Sequence, residues 1–171
     1  MKSILIILCL SLAVAATGQK LKLNKQEFEL RNVTGSIVKL DGEEILKVER
    51  DLNALPFDVK NLGATVDEPT YAKLTNLDFE NGVIEVRMLS KIQDPSPFPG
   101  AQGFIGVAFR ISENDSAYES IYLRPKVGRS DNQLARNKTV QYYAYPNYKF
   151  DRLREEAAGM YETTAPVNIN E

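Results

Sequence analysis

Hydrophobic and polar residues alternate in short runs along most of this chain, with turn-forming residues between them. Period-two alternation sends successive side chains to opposite faces of an extended backbone, so each run reads as a β-strand. Residues 20–23, 27–30, 36–40 and 44–48 form a first group. Asp41 and Gly42 lie between the last two and predict a hairpin, because both tolerate positive φ. Residues 51–69 are irregular and proline-punctuated, which predicts a long surface connection with an extended piece near 57–59. The second group, 71–74, 82–89, 103–111, 116–124 and 139–145, is richer in β-branched and aromatic residues. Within 82–89, Ile84, Val86 and Met88 alternate with Glu85 and Arg87, as in an antiparallel strand with one wet face. Residues 94–100 hold three prolines and predict a loop. Only residues 150–158 carry a helical pattern, entered through Asp151 and stopped at Gly159. The expected fold is all-β, an antiparallel jelly-roll β-sandwich with one short helix.

The N-terminus departs from this pattern. Lys2 precedes an apolar run from Ile4 to Leu12, followed by the small residues Ala13, Ala15, Ala16 and Gly18, which is the order of a cleavable secretory signal. The run is shorter than the roughly 20 apolar residues a membrane-spanning helix needs. The expectation is a signal peptide over 1–18, a single domain over 19–171, and a secreted or periplasmic location. The one cysteine, Cys9, lies inside the apolar run behind Leu8, where a bacterial lipid-attachment site needs a small residue. The remaining chain, about 150 residues, then has no cysteine and must be held by packed apolar surface rather than disulfides.

Composition removes whole classes of chemistry. There is no histidine, which excludes Ser-His-Asp and Cys-His nucleophile systems and His-ligated zinc or iron. No phosphate-binding loop or dinucleotide-type glycine pattern occurs. The 21 basic residues against 23 acidic ones, without a basic cluster, argue against a nucleic-acid partner. Carboxylate, Tyr, Lys and Arg chemistry remains, or a hard cation. Asp131, Asn132 and Gln133, in a stretch that reads as a loop over 129–136, offer oxygen ligands for calcium, but their spacing matches no calcium loop. No metal site or other cofactor is expected.

Parity gathers a candidate site. Ile105, Val107 and Phe109 share one face of their strand, which sends Phe104, Ala108 and Arg110 to the other. Likewise Ile121 and Leu123 oppose Tyr118, Tyr122 and Arg124. One sheet face can then carry Glu85, Arg87, Arg110, Tyr122, Arg124, Gln141 and Tyr143. Aromatic rings cover the apolar faces of pyranoses, while Arg, Gln and carboxylates bond their hydroxyls, so this face is the candidate ligand-binding surface and a glycan its candidate partner. Glu85 and Arg87 read equally well as a solvated cross-strand pair. Arg110 and Arg124 each close an otherwise apolar strand and need partners where buried. Glu119 shares the parity of Ile121 and Leu123, so it is either a strand-edge or bulge residue or a buried carboxylate with a raised pKa. Glu119 and Arg124 are the candidate catalytic residues.

Four segments taken in order carry a resemblance. They are Phe79-Glu80-Asn81-Gly82-Val83-Ile84-Glu85-Val86, Gly103-Phe104-Ile105-Gly106-Val107-Ala108-Phe109-Arg110, Tyr118-Glu119-Ser120-Ile121-Tyr122-Leu123-Arg124-Pro125 and Val140-Gln141-Tyr142. As a set they resemble the concanavalin A-like lectin/glucanase superfamily, nearest to its secreted bacterial laminin-G-like and 3-keto-disaccharide hydrolase domains. The resemblance implies a jelly roll with one concave sheet that binds or processes glycans, with Arg110, Tyr122 and Arg124 on the concave side or its rim. The Glu-x-Asp-x-x-Glu signature of laminarinase-type glucanases is absent, which departs from retaining hydrolysis by two carboxyls on one strand face. A glycoside hydrolase-like activity without His or Cys, glycan binding alone, and a non-catalytic protein-interaction module are the three readings it leaves. Members of the superfamily usually continue into a tryptophan-bearing strand and further closing strands, whereas this chain has no Trp. The resemblance therefore implies either a domain cut short at its C-terminus or an open sheet edge completed by a partner chain.

Overall fold

The computed structural model describes residues 19–171, so the signal peptide expected over 1–18 lies outside the described residues. The elements run β1 (Lys20–Leu23), β2 (Gln26–Arg31), β3 (Val33–Leu40), β4 (Glu43–Arg50), β5 (Tyr71–Leu74), β6 (Ile105–Phe109), β7 (Tyr118–Leu123), α1 (Gln133–Arg136), β8 (Val140–Tyr145), α2 (Phe150–Glu156) and β9 (Glu162–Thr163). Among the described residues every pairing is antiparallel, in three sheets ordered β1-β2-β5, β3-β4 and β6-β7-β8-β9. The chain is β-rich, as its alternation predicts. Among the described residues no helix is long and apolar enough to cross a membrane.

The β3-β4 hairpin turns at Asp41 and Gly42, whose φ angles of 50° and 86° give the handedness that matches the twist of the flanking strands. The largest sheet owes its register to β7, its second strand, in which Tyr118, Ser120 and Tyr122 are buried while Ile121 on the opposite face is half exposed. Tyr143 of β8 meets both Tyr118 and Tyr122 edge-on, with ring centroids 5.7 and 5.6 Å apart. Helix α2 lays Leu153 over these rings, and Tyr118, Tyr122, Tyr143 and Leu153 form the buried core. The β1-β2-β5 sheet docks through the turn after β6. There Asp115 accepts hydrogen bonds from the Tyr71 hydroxyl and the Lys73 ammonium, each at 3.0 Å.

Two expectations are corrected. The segment 82–89, whose alternation predicts a strand, joins no sheet, and among the described residues no backbone hydrogen bond ties 83–89 to another segment. Alternation fits a segment to a sheet without bringing a partner strand to it, and β6, paired with β7 alone, keeps its outer edge unfilled. Val83 is consequently 88% exposed and Ile84 and Val86 50% each. The expected loop over 129–136 contains α1, because the Asn132 carboxamide caps its first turn, accepting from Leu134 N at 2.9 Å and Ala135 N at 3.2 Å.

Candidate site at the short edge strand

Strand β9 is two residues long, and side chains of the neighbouring strands hold it in place. Gln141, fully buried on β8, donates from Nε2 to the carbonyls of Tyr142 at 2.7 Å and Tyr161 at 3.2 Å. Its Oε1 stands 3.4 Å from Nη2 of Arg124. Arg124 follows β7 and is buried; it donates to the Lys138 carbonyl at 2.7 Å and to the Tyr122 hydroxyl at 2.6 Å. Its Nη1 lies 3.7 Å from the Glu162 carboxylate, which Arg154 of α2 also grips through Nε at 2.7 Å. Burial lowers the Arg124 pKa, and the neighbouring Tyr122 and Glu162 oppose that shift. Phe150 stacks under Arg154, whose guanidinium carbon is 4.9 Å from the ring centroid. Two arginines thus converge on one carboxylate.

The parity argument succeeds in part. Tyr122, Arg124, Gln141 and Tyr143 do share a face, where Tyr122 pairs with Gln141 and Ser120 with Tyr143. That face is covered by α2 and by the segment around Asp67, so it is packed core, where an open groove was expected. Three expected members stand elsewhere. Glu85 and Arg87 lie on the unpaired segment, where Arg87 stands 3.7 Å from the exposed Glu43. Arg110 has φ 52°, a left-handed step that ends the alternation of β6 and turns its guanidinium to Glu119, 2.8 Å away. Glu119 accepts a second bond from the Tyr142 hydroxyl at 2.8 Å. These two bonds, Arg110's first, hold its pKa below the usual glutamate range, so the raised pKa expected for a buried carboxylate is reversed. Glu119 and Arg124 are on opposite faces of the sheet, because they are five residues apart on alternating backbone.

Among the described residues the carboxyl with a raised pKa is that of Asp67, in the irregular connection. Burial pushes it to about 6, against a hydrogen bond from Phe150 N and the charges of Arg124 and Lys149. Beside it Tyr118 donates to the Asp67 carbonyl at 3.0 Å and shares a 2.9 Å bond with the Tyr143 hydroxyl. Burial raises the pKa of Tyr118, Tyr122 and Tyr143, so all three stay neutral donors. Nothing in the aperiodic stretch around Asp67 marks it in the sequence.

Two depressions flank β9. One, about 410 Å³, is lined by Asn137, Lys138, Arg154, Glu162 and Thr164 with Leu134 at its wall. The other, about 230 Å³, lies over Ile121, Tyr142, Met160 and Tyr161, and both include Glu162 and Thr163. Tyr142 and Tyr161 stack with centroids 5.7 Å apart, and Tyr161 and Met160 are exposed. Arg154, Tyr161 and Glu162 were not among the expected site residues. Their signal was the helical face of α2 and the Tyr-Glu-Thr-Thr run after it, too short to read as a strand. Among the described residues no group of three or more His, Cys, Asp or Glu is placed to hold a metal, and the oxygen of Asn132, one of the three weighed as calcium ligands, is engaged as a helix cap. Comparison of the chain with protein-family models, with curated proteins and with solved structures yields no match.

Proposed function

We propose that this chain is an exported glycan-binding module, a concanavalin A-like jelly-roll sandwich that holds saccharide at the β9 edge. The observation that carries this reading is the pairing of a Tyr142–Tyr161 stack, half-buried at Tyr142 and exposed at Tyr161, with a polar pocket of Asn137, Lys138, Arg154 and Glu162 across the same two-residue strand. Tyr142 and Tyr161 lie on one face of the sheet and Arg154 and Glu162 on the other, so a saccharide crossing the β9 edge meets rings that cover the apolar face of a pyranose on one side and charged and amide groups that bond its hydroxyls on the other. Buried Arg124 and Gln141 serve as the rigid backing that keeps β9 in place. Binding is favoured over hydrolysis because Glu119 and Arg124 stand on opposite faces, and Glu119 is held ionised by Arg110 and Tyr142. Glycan-array screening followed by calorimetry on the best ligand tests the proposal. Tyr161→Ala and Arg154→Ala each weaken binding about tenfold or more, and reducing-end assays detect no turnover. Unchanged affinity in both variants, or no ligand on the array, overturns the site, and sugar release would make the protein a hydrolase.

A further inference from the structure

The unpaired segment 83–89 has a property that alternation alone does not require: its sequence, Val-Ile-Glu-Val-Arg-Met-Leu, is complementary to its own reverse. If two copies lie antiparallel with Val86 opposite Val86, then Glu85 of each faces Arg87 of the other. Ile84 then faces Met88, and Val83 faces Leu89. Every apolar residue meets an apolar one, and each charge meets its opposite. Directly opposed residues in an antiparallel pair share a face, so all these contacts form together.

The structure leaves this segment free to pair. Among the described residues its backbone groups bond to no other segment. Val83 is 88% exposed, and the Arg87 side chain is 92% exposed, its one ionic contact among the described residues being Glu43 at 3.7 Å. An extended run with unused donors and acceptors and apolar side chains in water is a template for strand addition. Nothing in the β9 site touches it, so the inference is independent of the glycan reading.

We infer that residues 83–89 form a two-fold strand interface that joins two copies of this chain. Two-fold symmetry makes such a contact self-complementary: residue i meets j, and j meets i. The Glu85–Arg87 cross-pairs set the register, because sliding by two residues would place Glu85 against Glu85 or Arg87 against Arg87. The apolar pairs supply the association, and Arg87 exchanges its weak contact with Glu43 for Glu85 of the second copy.

Sedimentation equilibrium across micromolar concentrations tests this on the chain and four variants, with circular dichroism confirming that each is folded. The native chain is a concentration-dependent dimer. Val86→Pro, which removes a backbone donor at the two-fold axis, weakens dimerisation about tenfold or more. Glu85→Arg and Arg87→Glu each do the same by opposing like charges, and the double variant Glu85→Arg with Arg87→Glu recovers the native dissociation constant to within about threefold. A native chain that stays monomeric throughout, or a double variant no tighter than the singles, overturns the inference.

Discussion

At the scale of single residues, Asp67 concentrates the least comfortable charge in the core. Its carboxyl titrates near pH 6 in the fold against 3.8 in an unfolded chain, chiefly because burial disfavours the ionised form. A carboxyl whose folded pKa is raised binds its proton more tightly in the native state. The stability this adds is fully present below about pH 4 and is lost as pH rises through about 6. Asp67→Asn keeps the acceptor for Phe150 N and tolerates the positive φ of 52° at this position, but carries no charge. The variant therefore matches the native protein in stability near pH 4 and exceeds it by about 1–2 kcal/mol at pH 7.5, a figure reduced for the partial exposure of the group. Urea denaturation at both pH values measures the difference, and a gap independent of pH would rule out Asp67 as its source. Sequence reading could not reach this residue, because the segment carrying it has no period. It could reach Tyr122, Arg124, Gln141 and Tyr143 as a group, since parity alone places them on one face. Parity says which side chains share a face and is silent on what covers it, so a surface that reads as a groove proved to be the core.

At the scale of elements, strand existence was legible for most runs in which alternation and turn residues agreed. β1 and β5 have the bounds their patterns predict, and the Asp41-Gly42 turn joins β3 to β4. The failure at 82–89 has a physical cause: alternation reports fitness for a half-buried ladder, and a ladder also needs a partner edge. Glycine exposes the opposite case, where the partner is too close. A Cβ at Gly106 of β6 would lie 2.3 Å from the Ile121 carbonyl oxygen and 2.6 Å from the Tyr122 Cα. Both atoms are backbone of β7, which is bonded to β8 on its far side and cannot retreat without breaking that ladder. Gly106→Ala should cost about 3 kcal/mol and release amide protection along β6. Gly42→Ala has open space around it and only a positive φ to oppose it, so its cost is about 1 kcal/mol. Denaturation midpoints and hydrogen exchange separate the two, and equal costs would mean that β6 is not pressed against β7 in solution.

At the scale of the whole molecule, the question is what makes separate sheets behave as one body. The β1-β2-β5 sheet and the β6-β7-β8-β9 sheet share no ladder. They meet at Asp115, in the turn between β6 and β7, which binds the Tyr71 hydroxyl and the Lys73 ammonium and lies 3.6 Å from Arg31. Tyr71 then sets its ring edge-on against Tyr118, 5.3 Å between centroids, which links this contact to the buried core. The carboxylate is largely shielded and the ammonium only partly exposed, so removing the acid leaves a positive charge with poor hydration and a hydroxyl without its acceptor. Asp115→Ala should therefore lower stability by about 2 kcal/mol, and the loss should be unevenly shared. Native-state hydrogen exchange resolves this: amides of β2 and β5 open at lower free energy than before, while those of β7 and β8, braced by the tyrosine core and α2, keep most of their protection. Asp115→Asn keeps one acceptor for Tyr71 and falls between the two. If instead every amide lost protection equally, the sheets would unfold as a single unit and the coupling would reside in apolar contact rather than in this buried carboxylate.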